Sequence, residues 1–147
     1  MNKRSHGFTL IELLVTIAVI VIMATIAMPN LENFISSNRQ AAEFNKVLAG
    51  FHYARSEAVK KRENVRVDVD STSGKWVVKI LDKDDSVIRV VESKDGQIDV
   101  DTVTVTFSPL GRLAQCENTD GLVSPCEITV GSSRLEVNAA GNIDKAD

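Results

Sequence analysis

The stretch whose reading decides the architecture is residues 7–28, Gly7-Phe8-Thr9-Leu10-Ile11-Glu12-Leu13-Leu14-Val15 followed by the apolar run Thr16 to Met28. From Leu13 to Met28 there is no charged residue, and the 21 residues from Phe8 to Met28 make about 30 Å of helix, the depth of a bilayer core. Lys3 and Arg4 precede this run and no comparable basic cluster directly follows Met28. That asymmetry places the N-terminus in the cytoplasm and the rest of the chain across the membrane. In a secretory signal the small residues that mark cleavage lie after the apolar stretch. Here Gly7 lies before it, so a cut after Gly7 leaves the apolar helix on the mature chain as a working part.

Glu12 is the one charge in the span, and a carboxylate at helix centre costs about 2.5 to 3.5 kcal/mol on insertion scales. Two readings account for it. Thr9 and Glu12 have the Thr-x-x-Glu spacing of a capping box, and a carboxylate in the first turn also favours the helix dipole. Alternatively, cleavage exposes an α-amine on Phe8, and Glu12 of one subunit pairs with the Phe8 amine of a neighbour when such helices bundle. The two act in different states and are compatible.

Gly7-Phe8-Thr9-Leu10-Ile11-Glu12 before an apolar helix resembles the class III signal of type IV pilins and type II secretion pseudopilins. The resemblance implies cleavage between Gly7 and Phe8 by a prepilin peptidase, N-methylation of Phe8, and a role for Glu12 in methylation and subunit docking. It also implies an inner-membrane assembly platform and other pilin or pseudopilin subunits as partners. Pro29 sits where these proteins commonly break the helix, and its missing N–H and ring clash would kink the preceding turn.

After Pro29, Phe34, Ala41, Phe44, Leu48, Phe51 and Ala58 recur at helical intervals, which predicts an amphipathic helix to about residue 62. Its opposite side is expected to carry Arg39, Glu43, Lys46, Glu57, Lys60 and Lys61. The segments 39–45 and 54–62 resemble the minor pilins FimT and FimU, relatives of the H-type minor pseudopilin of type II secretion; with the N-terminus, the likeness covers about the first 65 residues.

Beyond Asn64 the period becomes two: Val65, Val67 and Val69 alternate with Arg66, Asp68 and Asp70. Strands are expected at 76–81, 87–91, 127–130 and 134–138, with turns at 71–75, 82–85, 108–111 and 131–133. Ile98 and Val100 are out of phase with Val103, Val105 and Phe107, which a bulge near Asp101 and Thr102 would explain. The expected fold is α+β and type IV pilin-like: a long N-terminal helix, transmembrane in its first half, packed on an antiparallel β-meander. The expected segments are a leader (1–7), a transmembrane and filament-core half-helix (8–28), an amphipathic half-helix (29–62) and a periplasmic β domain (63–147). Cys116 and Cys126 are the only cysteines and would face an oxidising compartment, where a disulfide is the expected state.

Composition narrows the function. With 17 basic and 20 acidic residues the net charge is -3, which argues against a surface devoted to nucleic acid. His6 lies in the extreme N-terminal segment, leaving His52, expected at the edge of the helix–sheet contact, as the one histidine a folded domain has. No nucleophile–base pair or metal set is assembled, so no catalytic residue, metal or cofactor is expected. The acidic run Asp82, Asp84 and Asp85 lacks the glycine and distant glutamate of an EF-hand and is expected to be a solvated turn.

Lys60, Lys61 and Arg62, and separately Arg112 and Arg134, are candidate DNA contacts. The DNA-uptake members of the FimT family carry a Gly-Arg-x-Arg motif, and here Gly111-Arg112-Leu113-Ala114 supplies its first half, with Ala114 in place of the second arginine. The leading expectation is a minor pilin that helps initiate a type IV pilus and supports twitching, adhesion or DNA uptake. The alternatives are an H-type minor pseudopilin, a DNA-binding pilus subunit, and, remotely, a signal-anchored enzyme. The chain would reside in the inner membrane before assembly and in an extracellular filament afterwards.

Overall fold

The structure is a computed structural model that describes residues 8–72, 75–93 and 96–146, with the side chains of Ala27, Pro29 and Asn30 set aside. The expected leader, residues 1–7, therefore lies outside the described residues. A single helix, α1 (Leu10–Lys61), is followed by β1 (Val65–Thr72), β2 (Lys75–Leu81), β3 (Val87–Glu92), β4 (Val103–Phe107), β5 (Leu113–Asn118), β6 (Gly121–Leu122), β7 (Cys126–Val130), β8 (Ser133–Val137) and β9 (Ile143–Ala146). The helix continues through Pro29 without ending there. Contacts divide the chain into two units, one up to Asn38 and one from Arg39 onward.

In the first unit, the described apolar side chains from Phe8 to Ile35 are exposed almost throughout, and the helix is long and apolar enough to cross a membrane. Its internal hydroxyls need no outside partner, because Thr16 and Thr25 each donate at 2.7 Å to a carbonyl three residues back. That backbonding lets a hydroxyl enter an apolar medium without an orphan donor.

The second unit is built on the buried stripe Phe44, Val47, Phe51, Ala54 and Ala58 of α1. These positions recur at three, four and seven residues and so share one helix face. Against them lie Val67, Val69, Trp76, Val78, Ile80, Val105 and Phe107 from one sheet, and Ile128, Val130, Leu135, Val137 and Ile143 from the other, in one continuous core. The helix ends because Arg62 adopts φ 56°, and the Glu63 N–H donates to the Ala58 carbonyl at 3.3 Å, the long bond of a Schellman closure.

The topology departs from a meander. One six-stranded antiparallel sheet has the order β3-β2-β1-β4-β5-β6 and a second, three-stranded sheet the order β7-β8-β9. β1 is thus internal, with the β2–β3 hairpin on one side and β4 on the other. The phase change near Asp101 is also not a bulge within one strand. Val100 bridges Val130 of the second sheet, and the Asp101 N–H donates to the Thr129 carbonyl at 3.0 Å before the chain enters β4. The segment pairs briefly with one sheet and then joins the other.

Two expectations about the helix surface are corrected. Glu43 and Glu57 are buried, at 6% and 7% exposure, rather than on the solvent side. A helix covered by two sheets buries an arc wider than one apolar stripe, and both residues lie on its margin. Lys46 and Lys60 reach back three residues to them, at 2.5 and 3.1 Å. His52 is exposed, and its neighbour Tyr53 takes the boundary role, with the Arg89 guanidinium 4.9 Å from the ring centroid.

Cys116 of β5 and Cys126 of β7 form the disulfide, which ties the two sheets together across a separation of ten residues. In the chain-entropy account a loop this short contributes about 2 to 3 kcal/mol. The Cys116→Ser/Cys126→Ser variant is expected to unfold at lower urea, with a stability loss in that range. Phe51→Ala, at a fully buried position, should cost about 3 to 5 kcal/mol.

Candidate functional site

The N-terminal end of α1 is where the chemistry of Phe8 and Glu12 is concentrated. The Thr9 N–H donates to Glu12 Oε2 at 3.2 Å, the Glu12 N–H donates to Thr9 Oγ1 at 3.2 Å, and the Thr9 hydroxyl lies 3.4 Å from Glu12 Oε2. This is the reciprocal capping box read from the sequence. Within the single chain the carboxylate is turned onto its own first turn, while Phe8 is 87% exposed. Glu12 therefore has local partners before any neighbour is present, and those bonds can be exchanged without breaking the core of the domain. Gly7, the other side of the expected cleavage point, lies outside the described residues.

Four of the five basic candidates lie near the end of α1, and two of those four are paired with glutamates. Lys60 pairs with Glu57 at 3.1 Å and Lys61 approaches Glu63 at 4.0 Å, while Arg62 is exposed at the helix closure. Arg112 is exposed on the turn after β4, where the Ser108 N–H donates to its carbonyl at 2.9 Å. That turn is held to the helix because Arg55 Nε donates to the Gly111 carbonyl at 2.9 Å. Arg112 thus stands close to the end of α1, beside a shallow cavity of about 470 Å³ lined by His52, Arg55, Ser56, Val59 and Lys60.

Arg134 does not join this group. It pairs with Glu127 at 3.4 Å in the second sheet, next to Val130, whose carbonyl accepts a bond from Gln40 Nε2. Gln40 and Lys60 are 20 residues apart on α1, about 30 Å of helix. The five arginines and lysines singled out in the sequence therefore form no single patch.

The acidic turn is organised by its own backbone. Asp82 Oδ1 accepts the N–H groups of Ser86 at 2.9 Å and Asp84 at 3.0 Å. The Ser86 N–H foremost, with Asp84, Lys61 and Lys83 adding, holds the Asp82 carboxyl below the usual carboxylate range. Asp85 pairs with Arg66 at 2.7 Å, and Asp84 pairs with Lys83. Among the described residues no three His, Cys, Asp or Glu side chains are grouped to hold a metal.

Sequence reasoning missed the residue that fixes the Arg112 turn. Gly141 has φ +80°, and a Cβ there would lie 1.9 Å from the Gly111 carbonyl oxygen, so two turns from different sheets touch backbone to backbone. The only sequence signal was the turn-forming pair Gly141-Asn142. Gly141→Ala is expected to destabilise the domain by about 2 kcal/mol or more through left-handed backbone strain and this clash. Urea denaturation followed by tryptophan fluorescence from buried Trp76 checks it.

Comparison with known proteins follows the same division of the chain. The profile of the family described as Type II transport protein GspH matches residues 43–141, and that of the Prokaryotic N-terminal methylation motif matches residues 2–28. The fimbrial protein EcpC of Eikenella corrodens is 33% identical over 88 residues, covering 55% of this chain and 56% of EcpC. The chain thus spans just over half the length of that relative. Two crystal structures of the type IV minor pilin FimU of Pseudomonas aeruginosa share the fold, with TM-scores of 0.53 and 0.50 at 16% and 20% identity. They cover 73% and 78% of this chain, and 92% of the FimU chain in each case.

Proposed function

Because the chain belongs to the GspH family and carries the N-terminal methylation motif, we propose that it is a minor pilin that enters a type IV pilus through its N-terminal helix and helps initiate assembly. The observation that carries this reading is the match of residues 2–28 to the methylation motif on a helix whose described apolar side chains are exposed. The fold shared with FimU and the partial likeness to a fimbrial protein favour a pilus. The second reading, an H-type minor pseudopilin of type II secretion, is favoured by the family description over residues 43–141.

In this proposal a prepilin peptidase cuts between Gly7 and Phe8, and Phe8 is N-methylated. The chain then waits in the inner membrane with its domain in the periplasm. An assembly platform draws it from lipid into a bundle of like helices, where the same apolar surface is covered by protein. Lipid tails and packed side chains are similarly apolar, so the transfer itself costs little. Specificity comes from Glu12. Its carboxylate gives up the Thr9 bonds and takes the Phe8 amine of a neighbour, and a stagger that denies it this partner leaves a charge unpaired in an apolar core. Pro29 supplies a point at which the helix loosens during transfer.

The DNA-binding alternative draws little support from the geometry, since Arg134 lies in the second sheet near the strand bonded by Gln40, a point about 30 Å of helix from Lys60, and Ala114 replaces the second arginine of the motif. Intact mass and N-terminal sequencing of the chain from sheared surface filaments test the leading proposal. The expected result is a chain that starts at methylated Phe8. A chain that retains residues 1–7 and stays in membranes overturns it. Deletion in the host separates the two systems: loss of surface filaments favours the pilus, and retention of exported proteins in the periplasm favours secretion.

Glu12→Ala is expected to insert into the membrane as well as the parent chain but to fall out of the filament fraction. Breaking one side of a buried ion pair costs about 3 kcal/mol or more, so recovery in sheared filaments should drop about a hundredfold. Quantitative immunoblotting of membrane and sheared fractions measures both quantities, and normal recovery would remove the docking role.

A further inference from the structure

The turn between β4 and β5 holds a leucine out into solvent. Leu110 is 77% exposed, the most of any large apolar side chain among the described residues from Arg39 onward. The turn beneath it is fixed. The Gly111 N–H donates to the Ser108 carbonyl at 2.8 Å, the Ser108 N–H to the Arg112 carbonyl at 2.9 Å, and Arg55 Nε to the Gly111 carbonyl at 2.9 Å. Leu110 is therefore a preorganised knob, which loses little backbone freedom when something covers it. Arg112, two residues on, is exposed and has no carboxylate partner among the described residues.

The far end of β5 carries a hole of opposite charge. A cavity of about 520 Å³ opens where the chain crosses from the second sheet into β4, a size that takes several side chains. Val100 and Val103, both buried, form its floor, and Asp99, Asp101, Thr119 and Glu127 stand around it. Glu127 is already paired with Arg134, and Asp101 Oδ2 accepts the Thr129 N–H at 2.7 Å. Asp99 and Asp101 have no cation partner among the described residues, and the three carboxylates are not grouped to hold a metal ion. Charge spread over an apolar floor calls for a side chain that brings a cation beside an apolar group.

We propose that the Leu110–Arg112 turn of one copy of this chain seats in the cavity of a second copy, with Leu110 on Val100 and Val103 and Arg112 against Asp99 and Asp101. This rests on the filament reading above and deepens it. A second copy is the occupant because both halves of the contact, apolar on apolar and cation on carboxylate, are present on the one chain. No chain can fill its own cavity, since the six residues of β5, about 20 Å of strand, separate the turn from Asn118 and Thr119. The contact joins two different patches, so each copy keeps a free turn or a free cavity for the next. Repeated without closure, such a head-to-tail contact makes an open filament.

The test expresses two full-length copies with different tags in the native host, one carrying the photo-crosslinker p-benzoylphenylalanine at Leu110, and irradiates sheared filaments. The expected adduct joins Leu110 to residues 99–103 or 118–119 of the other tagged copy, as mapped by peptide mass spectrometry. The crosslinker at Thr119 should reach residues 108–112 of the other copy in the same way. With the crosslinker at Thr119, Arg112→Glu or Asp99→Arg in both copies should each lower the adduct at least tenfold. The chain with both substitutions exchanges the charges and should regain at least half of it, which keeps the test decisive even where one substitution alone weakens the fold. Adducts with a different protein or with nucleic acid alone, adducts indifferent to the two substitutions, no recovery in the doubly substituted chain, or no adduct from either position in filaments that contain both tagged copies overturns this proposal alone. Absence of the chain from filaments overturns it together with the filament reading.

Discussion

The contact on which the domain depends is the stripe Phe44, Val47, Phe51, Ala54 and Ala58 pressed against two sheets at once. Neither sheet is self-sufficient. The three-stranded one is short, and its apolar side chains Ile128, Val130, Leu135, Val137 and Ile143 all point into the common core. Three-stranded sheets hold together only when a hydrophobic face is covered. Because the helix is covered from two sides, its buried arc is wide enough to take in Glu43 and Glu57 at the margins. Each buried carboxylate is then tolerable because a lysine one turn later reaches it.

The same constraint governs how the chain leaves the helix. The left-handed residue Arg62 and the bond from Glu63 to Ala58 turn the backbone sharply enough that Val65 enters the core within a few residues. β1 therefore starts directly under the helix end and becomes an interior strand, and both later arms of the sheet grow from it. At the same end, the backbone contact of Gly141 with Gly111 and the bond from Arg55 close the two sheets onto α1. The disulfide between β5 and β7 adds a covalent link between them.

What was legible in the sequence is what is encoded locally. The capping box needs only Thr9 and Glu12, and the apolar span needs only a run of side chains, so both could be read directly. The β1 strand was equally plain, because Val65, Val67 and Val69 keep strict alternation. β5 was missed because Leu113 to Asn118 buries only Cys116 and so shows no period. The interior position of β1 was missed because strand order is set by pairing between residues some 40 apart, such as Val67 with Val105, and nothing in either segment names its partner. Arg112 and Arg134 looked equivalent as sequence and are not, because one sits on a turn docked near the end of α1 and the other beside a strand that meets α1 at Gln40, some 20 residues earlier.

The proposed docking of Glu12, a carboxylate near the start of an apolar helix, raises the question of why a local cap would not defeat it. The bonds from Thr9 to Glu12 are 3.2 to 3.4 Å long and exposed to solvent, and a helix cap of this kind contributes about 0.5 to 2 kcal/mol. A charge-assisted bond to an amine in a dry helix bundle is stronger, and its loss leaves a buried charge uncompensated. In the proposed assembly the cap would be adequate to carry Glu12 through the interface of a membrane and too weak to hold it there once an amine is offered. Weakness of the first state and cost of an unsatisfied second state together make a carboxylate a better determinant of stagger than an apolar residue, which would pack acceptably at several registers.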